Sequence, residues 1–212
     1  MANLREFLFD IYLIILTLCV FIGVLSYRLF DRETKLIFYL ILLSFVSEFL
    51  TKLVEKEIIY HFIALFYIII ITLYFLYTVK SKHKKQLFVA NAVLWVFFEI
   101  INCVFFEPLT ELNSNILSLI SFVIILQSLF ALYKILSDDS IVKLFSYVHF
   151  WFWTFFLLLW SCTFFFWAYI KILNKTGWIY LDTVLILQIC LNIIVYLSMG
   201  FVLFFYPKKS EE

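Results

Sequence analysis

"HFWFWTFFLLLWSCTFFFWAYI", His149 to Ile170, runs for 22 residues without a Lys, Arg, Asp or Glu. A helix of that length rises about 30 Å, the thickness of a bilayer's hydrocarbon core. A barrel strand would alternate polar and apolar residues over about ten positions. This run is apolar on every face, so a membrane-spanning helix is the reading, because a helix satisfies its own backbone polar groups in lipid. The run lies within the block Ile141–Ile170, and six more blocks resemble it: Phe7–Tyr27, Leu36–Val54, Ile58–Val79, Leu87–Phe106, Asn115–Leu136 and Trp178–Tyr206. Composition agrees, with 66% hydrophobic and 15% charged residues, against about half and a quarter in soluble domains. The expected fold is an all-α bundle of seven transmembrane helices. It forms one membrane domain over 1–212, with short connections and no soluble catalytic or output module. The first block is read as a span rather than a cleavable signal, since it is too long, carries Asp10 near its start and lacks a small-residue cleavage site.

Basic residues set the expected orientation. Arg28, Arg32, Lys35, Lys80, Lys82, Lys84, Lys85, Lys134, Lys143, Lys208 and Lys209 fall on one side, and Arg5, Lys52, Lys56, Lys171 and Lys175 on the other. Eleven against five of the 16 basic residues places the N-terminus outside and the C-terminus in the cytoplasm. "KSKHKK", Lys80 to Lys85, contributes most. In so tight a helix–helix loop it suits a cytoplasmic anchor beside anionic lipid better than a nucleic-acid contact.

Cys19, Cys103, Cys162 and Cys190 lie within spans without metal-ligand spacing and are read as small buried hydrophobes. Asn174-Lys175-Thr176 matches a glycosylation sequon, a three-residue pattern of low specificity. Only three glycines and two prolines are present, so helices broken near the midplane, common in transporters, are not expected. Gly-x-x-x-Gly is absent too, which argues against close small-residue packing. Large side chains must fill the interior. Trp153, Trp160 and Trp167 recur every seven residues on one stripe, and Tyr60, Tyr67 and Tyr74 do the same. A packing ridge or lipid-facing stripe is favoured over an aromatic ligand box. A tandem-repeat sugar-type transporter is not favoured, because spans one to three and five to seven share no polar landmarks and the Pro-Gln dipeptide of that group is missing.

Inside "LWVFFEIINCVFFEP", Leu94 to Pro108, Glu99 has no basic neighbour. Twelve residues from its span start at Leu87 place it about 18 Å deep, just past the midplane. An acid there costs roughly 2.5–3.5 kcal/mol on insertion scales. Asn91, Trp95, Glu99 and Asn102 share one helical face, which should point inward. Glu48 lies equally far from Leu36, on a face with Ser44, Ser47 and Thr51, and could converge with Glu99. Ser114, Ser118, Ser121 and Ser128 make a milder stripe. His61 enters at the same outer level, while Asp10 and Asp182 sit at an outer rim where water can reach them. His149, toward the inner end, is read as unrelated. With no Lys or Arg expected at their depth, the carboxylates must be protonated, paired with His61, or bound to a cation. Each can also be a neutral acid that holds helices in register.

Catalytic patterns are missing: there is no His-Glu-x-x-His and no nucleophile elbow, and no lysine lies in the seventh span to hold retinal. Zinc needs three or four ligands, which His61, Glu48 and Glu99 would supply only by chance. No catalytic residue, metal or cofactor is therefore expected, and the chain is not read as an enzyme. The stretches "LLSFVSEFL" with Glu48, "IIYHFIALFY" with Tyr60 and His61, and "FFEPLTELNSN" with Pro108 and Asn113 resemble a group of small bacterial seven-span proteins with short loops. The resemblance implies a multi-pass protein of the bacterial inner membrane and brings no activity with it.

Three readings remain. The first is a binding or sensing bundle with an outward-facing acidic pocket formed by Glu48, His61, Glu99 and Asn102, taking a small-molecule or cation ligand and signalling to a separate protein partner. The second is a small proton- or cation-coupled transporter in which Glu48 and Glu99 carry the exchangeable charge. The third is a non-catalytic subunit or effector of a membrane complex.

Overall fold

In the computed structural model, residues 2–54, 58–138, 141, 143–176 and 178–209 are described. Lys56 lies outside them, as do the side chains of Lys52, Lys171, Lys175, Lys208 and Lys209 from the charge count and of the Asn174-Lys175-Thr176 sequon. Seven helices form: α1 (Ala2–Ser26), α2 (Arg32–Val54), α3 (Ile58–Thr78), α4 (Lys84–Phe105), α5 (Ser114–Leu136), α6 (Val148–Thr176) and α7 (Trp178–Lys209). Seven are long and apolar enough to cross a membrane. The protein is an all-α, multi-pass membrane protein.

The sixth helix starts at Val148 and not at Ile141. Ahead of it, Leu144–Ser146 form a single 3-10 turn. Lys143 and Ser146 interrupt the apolar run there, and the Trp151 indole N–H donates to the Phe145 carbonyl at 2.9 Å, fixing the turn against the helix start. Polar caps set other ends. Asp31 accepts the Thr34 backbone N–H at 2.7 Å and so opens α2. Lys80, at φ 54°, closes α3 in the left-handed conformation, and Ser81 N–H reaches back to the Leu76 carbonyl at 3.1 Å.

Six helices close a ring. α1 packs between α2 and α7, α6 between α7 and α5, and α3 between α2 and α5. The fourth helix stands outside, against α3 and α5, with Val93, Phe97, Ile100 and Val104 exposed where lipid would lie. The core holds Leu16, Ile37, Ile41, Ile68, Ile71, Ile120, Ile124, Phe152, Met199 and Leu203. Large rings do fill the interior, but glycines still admit close approaches: a Cβ at Gly23 of α1 would run into the Phe38 ring of α2. A Cβ at Gly200 of α7 would lie 2.6 Å from Cys19 Sγ of α1. A lone glycine opposite a cysteine gives that approach without any Gly-x-x-x-Gly pattern.

The two aromatic stripes face each other. Tyr74 of α3 stacks on Trp153 of α6 with centroids 4.9 Å apart, and Tyr67 meets Trp160 edge to face at 6.0 Å. The helices run antiparallel, so seven residues back along α3 match seven forward along α6, about 10.5 Å each time. One further step reaches Tyr60 and Trp167, which line a cavity.

Candidate functional site

Two polar groups occupy the half of the bundle that carries the N-terminus. The first is held between α3, α4 and the connection to α5. The only residues α4 buries are Trp95, Glu99 and Asn102 among those described, the inward face of an otherwise lipid-exposed helix. Glu99 Oε1 lies 2.6 Å from His61 Nδ1. The His61 Nε2–H donates to the Glu111 backbone carbonyl at 3.0 Å. That carbonyl can only accept, so Nε2 carries a hydrogen, and the short Nδ1–Oε1 contact requires a second proton shared between the two groups. Asn113 Nδ2 donates to both Glu99 oxygens, at 3.0 and 3.1 Å.

The network extends to a second carboxylate. Asn102 Nδ2 donates to Asn113 Oδ1 at 3.0 Å and to Glu107 Oε2 at 3.1 Å, and its Oδ1 accepts from Asn115 Nδ2 at 3.2 Å. Glu107 is fully buried. It accepts the Ser114 hydroxyl on one oxygen and the Asn115 backbone N–H, at 2.9 Å, on the other. Those donors begin α5, so the carboxylate satisfies one of the helix's free N–H groups, that of Asn115, and faces the positive end of the helix dipole. Every amide of Asn102 and Asn113 has a defined job. Beside them, Cys103 Sγ lies 3.5 Å from Glu99 Oε1 and 3.6 Å from His61 Nδ1.

The second group surrounds a cavity of about 420 Å³ between α1, α2, α3, α6 and α7, reaching Leu112 and Leu117 at the start of α5. Its walls include Tyr12, Tyr60, Tyr67, Trp160, Trp167 and Tyr196. Glu48 is the one charged side chain among its described lining residues, and Tyr12 O–H donates to it at 3.3 Å. Below, Ser44 takes the hydroxyls of Tyr67 and Tyr196, the latter at 2.7 Å, and donates to its own helix at the Leu40 carbonyl. Gln188 donates to Thr163 at 2.9 Å, joining α7 to α6 along the wall.

Of the residues singled out in the sequence, His61, Glu99 and Asn102 thus meet in one network, while Glu48 faces the cavity with partners of its own. Asp10 is exposed. Asp182 is bound by Arg5 at 2.7 Å across α7 and α1. A cation is therefore available at the rim, contrary to expectation, because Arg5 lies less than two turns ahead of Asp10 and its long side chain reaches across. His149 sits near the opposite end, 2.9 Å from the Tyr74 hydroxyl and 3.6 Å from Asp31. Of the serine stripe of α5, Ser114 joins the network through Glu107, while Ser118, Ser121 and Ser128 each donate to the carbonyl four residues earlier.

Sequence reasoning missed Cys103, Glu107, Glu111 and Asn113 as site members. Glu99 and Cys103 are four residues apart and so share a helix face, a signal that was available. The coming together of both with His61 was not. No protein-family model, curated protein or solved structure matches the chain.

Proposed function

We propose that the chain is a membrane ligand-binding protein that takes a small organic cation into the cavity, with Glu48 as counter-ion. One observation carries the reading: Glu48 is the one carboxylate among the described residues of a chamber whose walls combine tyrosine and tryptophan rings, a few hydroxyls and amides, and aliphatic side chains such as Ile63, Leu159 and Leu185. Ring faces attract cations, by about 0.5–2 kcal/mol each when desolvated, and aromatic chambers are a recurrent solution for quaternary ammonium groups. The volume suits a ligand of drug size or below. Binding leads either to a signal passed to a separate protein or to movement of the cation.

The test uses the protein in detergent and two probes of one shape: benzyltrimethylammonium and its uncharged carbon counterpart, neopentylbenzene. Trp160 and Trp167 line the cavity, so their fluorescence reports occupancy. Saturable binding of the cation, at least tenfold tighter than the neutral probe, is the expected result. Equal affinity for both would reject a cation site. Counterflow of the bound cation in sealed vesicles separates a transporter, which shows it, from a sensor, which does not.

A further inference from the structure

We infer that His61, Glu99 and Cys103 form a binding site for a divalent metal ion of the zinc and cobalt class. The site is distinct from the cation cavity and rests on other residues. His61 Nδ1, a Glu99 carboxylate oxygen and Cys103 Sγ all lie within 4.8 Å of one another. In tetrahedral zinc sites, bonds of about 2.0–2.3 Å hold sulfur about 3.6 Å from nitrogen or oxygen, and nitrogen about 3.3 Å from oxygen. The sulfur already stands at these separations, 3.6 Å from Nδ1 and 3.5 Å from Oε1. Only the His61–Glu99 contact, at 2.6 Å, must open, by about 0.7 Å on that geometry. The shared proton occupies the place the ion would take.

The surroundings are those of a ligand shell. A metal-bound histidine gives its other N–H to a carbonyl or carboxylate, which fixes ring and tautomer. Here Nε2–H is committed to the Glu111 carbonyl, leaving Nδ1 as the coordinating atom. Asn113 holds Glu99 by both oxygens, and Asn102 holds Asn113 in turn. The donor set selects the metal. One nitrogen, one carboxylate oxygen and one sulfur suit a borderline ion and disfavour calcium or magnesium, which need several oxygens. Charge closes as well. One divalent ion enters while the shared proton and the thiol proton leave, and the ligands become a neutral imidazole, a carboxylate and a thiolate. The site's net charge is unchanged, which removes the main electrostatic obstacle to binding in a low-dielectric interior. Three protein ligands leave a fourth position for water or another small ligand. Cys103, the half-buried member, marks the side of entry.

The experiment is cobalt(II) titration of the tag-free, chelator-treated protein in detergent, followed by absorption, with zinc content measured by mass spectrometry. The expected result is one ion per chain, visible bands of a four-coordinate centre, and a near-ultraviolet band from thiolate-to-cobalt charge transfer. Cys103→Ser should abolish the near-ultraviolet band and weaken binding at least tenfold, while Glu99→Gln weakens it without removing that band. Thermal unfolding of each variant in the same detergent verifies the fold, and Cys103→Ala substitutes if the serine variant fails. The inference is overturned if wild type shows no saturable binding. It is equally overturned if the charge-transfer band survives in the Cys103 variant, which would place the ion on another cysteine.

Discussion

Tyr67 of α3 and Trp160 of α6 meet edge to face with ring centroids 6.0 Å apart, the middle rung of a ladder whose two ends differ. At one end Trp153 is fully buried and stacked on Tyr74. At the other, Tyr60 and Trp167 border open volume. The same sequence period thus builds packing at one end and a chamber at the other.

The two ends should respond differently to truncation. Trp153→Ala removes a ring from close-packed surroundings and should cost about 3–5 kcal/mol. Trp167→Ala enlarges a cavity already present. It should cost markedly less stability and weaken binding of the organic cation, by about tenfold for one lost cation–π wall. Chemical denaturation in mixed micelles, paired with the fluorescence titration, measures both.

Glu99 should tolerate Gln and reject Leu. Gln keeps an acceptor for Asn113, and its amide can donate to His61 Nδ1, so no shared proton is needed. Leu leaves both partners without one, at about 1–3 kcal/mol for each orphaned buried group. Unfolding midpoints of the two variants decide the matter. A Leu variant as stable as the Gln variant would contradict the network.

Gly200 and Cys19 should be coupled. Gly200→Ala places a Cβ against Cys19 Sγ, 2.6 Å away, and should destabilise by about 1–3 kcal/mol. Removing the sulfur makes room, so Gly200→Ala in a Cys19→Ala background should cost less than in wild type. Simple additivity would show that α1 and α7 do not meet there.

Glu48 and Glu99 should act independently. Their side chains share no hydrogen-bond partner among the described residues: Glu48 is held by Tyr12, and Glu99 by His61, Asn113 and Cys103. The stability changes of Glu48→Gln and Glu99→Gln should therefore add within about 0.5 kcal/mol in the double variant.

The spans were legible because apolar length is a local property, and so was the face of α4 that turns inward. Asn91, Trp95, Glu99 and Asn102 fall on one stripe, and Glu99 and Asn102 are the buried anchors of the network. What meets that stripe was not legible. Periodicity orders residues around one helix and says nothing about which helix lies opposite. Equal depth made Glu48 a natural partner for Glu99, whereas the ring sets Glu48 against Tyr12 and gives Glu99 to His61. Glu107 and Asn113 fall between the apolar blocks Leu87–Phe106 and Asn115–Leu136, but the turn after α4 folds them back into the interior. Spacing among the four cysteines gives no reason to single out Cys103. Its partners are a glutamate one turn away and a histidine on another helix.

The central claim, that Glu48 is the counter-ion of an aromatic cation chamber, is tested most directly by comparing wild type and Glu48→Gln with the charged and uncharged probes. Gln preserves size and a hydrogen bond from Tyr12 but can never become negative. The account predicts that benzyltrimethylammonium affinity falls at least tenfold, about 1.4 kcal/mol or more, while neopentylbenzene affinity stays unchanged. Undiminished binding of the cation by the Gln variant would contradict it.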